Sequence, residues 1–319
     1  MKNEYTDDRL IADALGRLAQ GTPVTVEALT VTPLLDPTAG VAQYLTLQEA
    51  IEGGEFAVTE VSSGGEVADL RVVNTGARPV LLLDGEEVLG AKQNRVVNLS
   101  IMVPPRSATV VPVACVEQGR WAHVSDEFRP SPNSMPSRGR AAKMRDVSGS
   151  MRRGDLPRAD QGRVWEELAG TAQRLGVDSE TDAMDAIFAQ RHGRLQRFVT
   201  RCGPVEHQVG ARFALHGREC GIELFDAPSS WARYTPRLVR SWAVDAIDED
   251  TAELSAGPSA MSVWDALRTG PWASSPSLGL GSDARLTTTD VAGASLVVAG
   301  EVVHLAAFAG PCGGGRRRR

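Results

Sequence analysis

Aromatic residues are scarce in this chain of 319 residues: they make up 5% of it, and only three are tyrosines. A surface that stacks nucleic-acid bases needs such rings, and a formal net charge of -6 gives no general attraction for a phosphate backbone. We therefore expect no nucleic-acid partner. Apolar residues make up 42% and charged residues 23%, a composition that is typical of globular proteins and excludes wholesale disorder.

Cysteines are also few. The four cysteines are widely spaced and form no Cys-x-x-Cys pair, which excludes the usual spacing of zinc fingers. The histidines show no ligand spacing either, so no metal site is predicted. Reduced thiols in a cytosolic protein are the default interpretation. The cysteines are Cys115, Cys202, Cys220 and Cys312.

Long apolar runs are absent as well. No stretch of ~18 consecutive apolar residues occurs, so we expect no membrane span and no membrane partner. Residues 1–20 contain Asp7, Asp8 and Asp13 and no continuous apolar stretch, which predicts that there is no signal peptide. Together these observations predict a cytoplasmic protein.

The first half of the chain is predicted to be rich in β-structure. An amphipathic helix is expected within residues 1–24, packed on the body of the protein or on a second copy of the chain, so a homo-oligomer is one option. Apolar and β-branched segments separated by turns predict about six strands in the β-rich region, 25–124. Thr46 and Glu49 form a capping box that opens a short helix. Asp84-Gly85 is a strong signal for a two-residue hairpin.

The rest of the chain mixes helices and hairpins. Residues 125–162 are dotted with Arg and Lys and show no sustained apolar period, which predicts a flexible basic linker or a lid that closes over an anionic ligand. Residues 163–310 alternate helical periods with hairpins; Asp160 is predicted to cap the first helix, and Ala299-Gly300 to turn the last hairpin. Residues 311–319 form a basic tail that is expected to be disordered. The predicted fold class is α+β: a β-rich N-terminal half of antiparallel hairpins, followed by an α+β C-terminal half.

The most informative pattern is a hairpin with polar residues at its open end. Segments 96–103 and 108–116 are apolar and flank a turn near Pro105, so residues whose numbers sum to about 211 should pair. Asn94 is then predicted to face Glu117, and Gln93 to face Gln118. The run 92–95 thus converges with the run 117–121, and we call these residues with Glu86 and Glu87 the polar cluster.

Each member of the polar cluster suggests a chemical role. Three carboxylates are candidates for acid–base catalysis: Glu86, Glu87 and Glu117. Three cationic groups could hold phosphate or carboxylate: Lys92, Arg95 and Arg120. Amide side chains suit the edge of a base, a ribose or an amide, and one indole offers a stacking face: Gln93, Asn94, Gln118 and Trp121.

A purely structural interpretation of the same residues is also open. Charged residues at hairpin ends often pair with one another, here Glu117 with Arg95 or Arg120. His304, which alternates with apolar neighbours, is better interpreted as a hydrogen-bonded core histidine than as a catalytic one. Cys115 has the setting of a small buried hydrophobe rather than that of a nucleophile.

Around the hairpin the sequence resembles a known family. Residues 79–87, 90–95 and 112–121 together resemble the ARG-and-rhodanese-phosphatase-superfamily-associated protein domain, a bacterial family of undetermined function. Residues 160–161, 164–165 and 303–305 also resemble it, and the likeness spans roughly 25–310. The name of the family implies a link to ADP-ribosylglycohydrolases, rhodaneses and phosphatases, and hence to ADP-ribose or phosphoester processing. It implies no specific catalytic residues.

Two kinds of function follow from these patterns. The first is binding or processing of a nucleotide-like, ADP-ribose-related phosphate ligand at the polar cluster. The second is a non-catalytic sensor or adaptor, or a structural interaction protein that uses the same cluster as an interface. No nucleophile, metal-ligand set or phosphate loop is recognisable, so the sequence decides neither whether the protein is an enzyme nor which cofactor it would use.

Overall fold

The computed structural model describes residues 6–62, 64–248 and 262–310. Its helices are α1 (Asp7–Gly16), α2 (Leu47–Glu52), α3 (Ser137–Arg152), α4 (Gln161–Arg174), α5 (Met184–Gln190), α6 (His192–Arg201), α7 (Pro228–Ile247) and α8 (Val263–Thr269). Its strands are β1 (Ala19–Gln20), β2 (Val24–Val26), β3 (Leu29–Leu35), β4 (Leu45–Thr46), β5 (Phe56–Glu60), β6 (Asp69–Asn74), β7 (Val80–Leu82), β8 (Glu86–Gly90), β9 (Arg95–Val97), β10 (Ile101–Val103), β11 (Ser107–Cys115), β12 (Phe128–Ser134), β13 (Gln208–Leu215), β14 (Arg218–Phe225), β15 (Trp272–Pro276), β16 (Ser282–Thr287), β17 (Val291–Val298) and β18 (Glu301–Ala309). About 31% of the described residues are helical and 35% lie in strands, which confirms the α+β class.

The strands form three sheets. The largest has the order β1-β3-β13-β14-β18-β17-β16-β15, with β2 paired to β3. A six-stranded sheet has the order β12-β8-β9-β11-β6-β5, and a three-stranded sheet has the order β10-β7-β4. Among the described strands only β4 and β7 pair in parallel, so the sheets are almost entirely antiparallel.

Several predicted local structures are present. Thr46 and Glu49 form the capping box of α2, and the carboxylate of Asp160 accepts a hydrogen bond from the backbone of Arg163 at the start of α4. Helix α1 begins after Thr6 and ends at Gly16, within the range predicted for an N-terminal helix. The last hairpin turns at Ala299 and Gly300, which have φ angles of 53° and 85°. These features depend on neighbouring residues, so the sequence was sufficient to predict them.

One predicted hairpin is wrong, and a second is only partly formed. Asp84-Gly85 does form a tight turn, closed by a hydrogen bond of 3.0 Å from the Glu86 N–H to the Leu83 carbonyl. The strands on either side of it nevertheless join different sheets: β7 pairs with β10 and β4, whereas β8 pairs with β12 and β9. Segment 96–103 likewise divides into β9, which pairs with β11, and β10, which does not. The first half therefore contains more strands than the six predicted.

The predicted boundary near residue 124 is crossed by the largest sheet. Strand β3, from the N-terminal part, pairs along its length with β13, so that Val31 lies opposite Phe213. Both side chains are buried in one apolar cluster together with Trp242 of α7. The N-terminal and C-terminal parts of the chain therefore share one sheet and one core.

The prediction of a flexible linker at 125–162 is also wrong. This segment contains strand β12 and the 16-residue helix α3. Helix α3 packs on α7, α4 and β17. Its inward face includes Arg140 and Lys143, both of which are almost completely buried. The apolar period that normally marks a docked helix is missing because buried cations occupy those positions.

No helix in the described ranges has both the length and the apolar character that a bilayer-spanning segment requires.

Candidate functional site

The two polar runs of the hairpin do meet, although the predicted register is wrong by one residue. In the ladder between β9 and β11, Arg95 lies opposite Cys115 and Val96 lies opposite Ala114, so paired numbers sum to one less than predicted. The backbone N–H of Asn94 donates to the Glu117 carboxylate at 3.0 Å. The side-chain amide of Gln93 donates to the Glu117 carbonyl, also at 3.0 Å.

Glu117 is held on several sides. The Arg120 guanidinium donates to its Oε1 at 2.8 Å, and the Thr181 hydroxyl donates to the same atom at 2.9 Å. Burial alone would raise the pKa of Glu117, but the hydrogen bonds from Arg120, Asn94 and Thr181 outweigh burial and hold the pKa below its ordinary value. Glu117 is therefore a charged, paired group, which matches the structural interpretation of a Glu117–Arg120 pair.

Glu86 is also paired, but in a different place. Its side chain is fully buried and forms an ion pair with Arg237 of α7. Its second oxygen accepts a hydrogen bond of 3.1 Å from the Leu83 N–H. Burial raises the pKa of Glu86 in spite of these partners. This carboxyl therefore helps to attach α7 to the smaller sheets.

Glu87 differs from the other two carboxyls because it has no cationic partner within 4.0 Å in the described part of the chain. The Ser131 hydroxyl donates to its Oε2 at 2.7 Å, while Oε1 is buried and has no hydrogen-bond partner among the described residues. Burial raises the pKa of Glu87 to about 8, and the nearby charges of Asp185 and Glu117 act in the same direction. Glu87 is therefore mostly protonated at pH 7.

The polar cluster is divided between two faces of the six-stranded sheet. Residues opposite each other on antiparallel strands share a face, and successive residues alternate between faces. Glu87 pairs with Val96, whereas Arg95 pairs with Val88 and Cys115. The side chains of Glu87 and Arg95 accordingly belong to opposite faces, so the candidate acid does not point to the same side as the candidate phosphate ligand.

Arg95 is the least satisfied member of the polar cluster. Its side chain is fully buried, and Nη1 donates to the Gln93 Oε1 at 3.2 Å and to the Asn94 carbonyl at 3.4 Å. Within the described ranges, Nε and Nη2 have no acceptor and no carboxylate lies within 4.0 Å of the guanidinium. Burial lowers the pKa of Arg95, partly offset by the charges of Cys115 and Glu60. A buried cation without a pair is costly, and two nitrogen atoms of this guanidinium are left unsatisfied among the described residues.

Trp121 lies beside Arg95 and links it to the surface. The guanidinium carbon of Arg95 is 5.7 Å from the centroid of the indole ring, and the Lys92 ammonium is 5.4 Å from it. The Lys92 ammonium also donates to the Gly64 carbonyl. Trp121 is 49% exposed, so part of its side chain is accessible from solvent. We call Lys92, Arg95 and Trp121 the Arg95 site.

The remaining members of the polar cluster act mainly on the protein itself. Asn94 accepts a hydrogen bond of 3.2 Å from Arg120 through its side-chain oxygen. Arg120 also donates to the Ala91 carbonyl at 2.8 Å. Gln118 is exposed beside these residues. Of the seven residues predicted to bind a ligand, the structure brings Lys92, Arg95 and Trp121 together.

A second polar group was missed by sequence reasoning. Arg140 and Lys143, one helical turn apart on α3, form buried ion pairs with Glu223 and Asp84 respectively. A side chain at Gly85 would lie 2.8 Å from the Arg140 side chain, and Gly85 has a φ angle of +78°, which together explain the glycine of the Asp84-Gly85 turn. The signal available in the sequence was the three-residue spacing of Arg140 and Lys143, which places both on one face of a helix. Because the segment has no apolar periodicity, this spacing was interpreted as part of a solvated segment.

His304 belongs to the same buried group. Its Nδ1 lies 2.9 Å from the Ser100 hydroxyl and its Nε2 lies 3.3 Å from the Glu223 carboxylate. The side chain is 2% exposed. The interpretation of His304 as a hydrogen-bonded core histidine is therefore confirmed. Cys115 is likewise fully buried, and burial raises the pKa of its thiol.

The site and the three antiparallel sheets define an α+β protein with a polar, arginine-containing hairpin end. The model of the ARG and Rhodanese-Phosphatase-superfamily-associated Protein domain matches residues 17–308. The chain belongs to this family, since the match covers most of its length. No curated protein and no solved structure shows a significant match.

Proposed function

We propose that this protein binds a nucleotide-like, phosphate-containing ligand related to ADP-ribose at the Arg95 site. The observation that carries the proposal is the buried guanidinium of Arg95, which has two nitrogen atoms without acceptors among the described residues. A phosphate would supply the missing acceptors and the missing negative charge, and arginine can bind it through two parallel hydrogen bonds.

The aromatic part of such a ligand has a place beside Arg95. The exposed face of Trp121 offers a stacking surface, and base–aromatic stacking contributes about 1–3 kcal/mol per base. Lys92 adds a second positive charge next to the same ring. A ligand with both a phosphate and a flat base therefore uses all three residues of the Arg95 site.

The proposal favours recognition over catalysis. Glu86 and Glu117 are both ion-paired, and the ladder directs Glu87 to the opposite face from Arg95. The function that these placements support best is a sensor or adaptor that binds its ligand without consuming it. We place this activity in the cytoplasm, in keeping with the free, buried thiols of Cys115 and Cys202.

Isothermal titration calorimetry with ADP-ribose tests the proposal. Trp121→Ala removes an exposed ring, and we expect it to weaken binding by about tenfold or more. Arg95→Lys keeps the charge but loses the planar fork, and a similar weakening is expected. Trp264→Ala is the matched control, because Trp264 also has an arginine, Arg212, within 5.8 Å of its ring but lies outside the Arg95 site.

The results decide between two clear outcomes. Binding that is weakened in Trp121→Ala and Arg95→Lys but unchanged in Trp264→Ala supports the proposal. Absence of binding by the natural protein, or equal affinity in Trp121→Ala, overturns it. Circular dichroism of each variant shows that the fold is retained. Chromatography should recover ADP-ribose intact after prolonged incubation with the protein. Cleavage of ADP-ribose would contradict the proposal that the protein binds its ligand without catalysis.

A further inference from the structure

A separate cavity lies between helices α3 and α4 and the largest sheet. Its volume is about 300 Å³, which is at the lower end of the range for sites that bind small molecules. None of its lining residues belongs to the Arg95 site. The side chains of Arg138 and Arg163 at its wall are 25% and 53% exposed, so the cavity is accessible from solvent.

The helical wall of the cavity is strongly basic. Arg138, Arg145 and Arg163 line it, with Glu167 as the acidic lining residue. Arg138 lies 3.5 Å from Glu167, and Arg163 is paired with Asp146. Arg138 also lies 3.8 Å from Asp248, and Arg163 lies 4.0 Å from Asp160, so both of these arginines have acidic partners.

Arg145 differs from the other two arginines of the wall. Within the described part of the chain, no carboxylate lies within 4.0 Å of its guanidinium, and its Nη2 is buried and has no acceptor. Burial lowers the pKa of Arg145, with only a partial offset from the charge of Asp290. An arginine that is partly removed from water without a partner is stabilised when an anion binds. Arg145 is therefore the group at which a negative charge would be held.

The floor of the cavity is apolar and aromatic. Trp242 and Phe308 lie there with ring centroids 5.7 Å apart, and Leu215 and Cys220 extend the same surface. Trp242 also stacks on Phe213 at 4.7 Å, which fixes the orientation of its ring. The indole N–H of Trp242 is buried and has no acceptor among the described residues. The floor thus combines a rigid aromatic surface with one unused donor.

We infer that this cavity binds an organic anion that has an apolar body and a phosphate or carboxylate group. The body packs on Trp242 and Phe308, and the charged group accepts hydrogen bonds from Arg145. This second site is independent of the Arg95 site, since the two share no residue. The basic segment 125–162 therefore contributes to binding an anionic ligand, as the sequence suggested. It does so through the packed helix α3 and not as a mobile lid.

Calorimetry with defined probes tests the inference. The probes are 1-naphthyl phosphate and 1-naphthoate, which present the two charged groups on the same body, with 1-naphthol and inorganic phosphate as the isolated halves. We expect 1-naphthol and inorganic phosphate each to bind at least about tenfold more weakly than 1-naphthyl phosphate, which contains both parts. The stronger of the two complete probes identifies the charged group that the cavity prefers.

Variants locate the binding. Arg145→Ala should weaken the binding of the preferred probe by at least about tenfold, and Arg145→Lys should weaken it less. Arg152→Ala is the matched control, because Arg152 lies on the same helix but is exposed outside the cavity. Arg95→Lys should also leave probe binding unchanged. Equal affinity in Arg145→Ala, or loss of binding in Arg95→Lys, would overturn the inference.

A second measurement needs no substitution in the wall. Cys220 lines the cavity, whereas Cys202 does not, and both are nearly buried. A bound probe should slow the alkylation of Cys220 by iodoacetamide and leave that of Cys202 unchanged, as read by peptide mass spectrometry. Equal protection of both cysteines, or of neither, would contradict binding at this cavity.

Discussion

Glu87 is a carboxyl group whose charge the fold suppresses. Its pKa is raised from an ordinary value of 4.5 to about 8, mainly by burial. Between these two pH values the unfolded chain loses the proton from Glu87 while the folded protein keeps it. The free energy of unfolding should therefore decrease as the pH rises from about 4.5 to about 8, and Glu87 adds no further change above that range.

Replacing Glu87 by glutamine tests whether the protonation of this residue causes the predicted pH dependence of stability. Glutamine has the same shape as the protonated acid and cannot ionise, so Glu87→Gln should raise the Tm above that of the natural protein at pH 8.5 and change it little at pH 4.5. The difference in unfolding free energy between the two proteins should grow by up to about 1.4 kcal/mol per pH unit between these limits.

The control for this experiment is Glu66→Gln. Glu66 is an exposed residue, so Glu66→Gln makes the same chemical replacement without touching a buried group. The difference between the variants cancels the contributions of Asp226 and Asp245, whose pKa values burial raises to about 6. A Glu87→Gln protein whose Tm follows that of the natural protein across the whole pH range would show that Glu87 is not protonated at neutral pH.

The sequence was sufficient to predict that the polar cluster exists, but not which of its side chains lie on each face of the six-stranded sheet. The hairpin pattern brought Glu117 next to Asn94 and Gln93 in spite of a register error of one residue. Which side chains share a face depends on that register, because a shift by one residue moves a strand's side chains to the other face. The separation of Glu87 from Arg95 therefore had to come from the observed ladders.

At the level of elements, helix α3 shows why sequence patterns can fail. A docked helix is usually recognised by apolar residues every three or four positions. In α3 some of those positions hold Arg140 and Lys143, whose charges are balanced by Glu223 and Asp84, residues that are distant in the sequence. The pattern became interpretable as a buried face only once these partners were known, so the segment was predicted to be a linker.

The Asp84–Lys143 pair gives a prediction for this element. Lys143 also donates hydrogen bonds to the carbonyls of Val97 and Asn98, at 3.1 and 2.9 Å. Lys143→Met leaves a buried carboxylate without its main partner, so we expect a loss of about 3–5 kcal/mol in the free energy of unfolding. Asp84→Asn in the same protein removes that charge and should restore part of the loss.

Urea denaturation of the natural protein, both single variants and the double variant measures the coupling between the two residues. Arg152→Met, an exposed substitution on the same helix, should change stability by no more than about 0.5 kcal/mol. If the losses in the two single variants simply added in the double variant, α3 would not be held by this ion pair.

At the level of the whole molecule, the pairing of β3 with β13 joins distant parts of the chain. Helix α3 lies between them in sequence and contacts both α7 and the largest sheet. An independent N-terminal domain followed by a linker would expose the segment 125–162 to proteases. A helix that is packed against the common core is protected until the protein unfolds, because cleavage requires an extended and accessible backbone.

Limited digestion with trypsin distinguishes these two architectures. Helix α3 contains Arg138, Arg140, Lys143 and Arg145, so a mobile segment would be cut there first. We expect no early cleavage at these four residues in native buffer and rapid cleavage in urea above the unfolding midpoint, both measured by mass spectrometry of the fragments. Exposed Arg153, just beyond the helix, serves as an internal reference for the enzyme's access to this part of the surface. Early native cleavage at Arg140 or Lys143 would mean that the helix leaves the core readily, and the buried ion pairs would then not be the interactions that join the two halves of the chain.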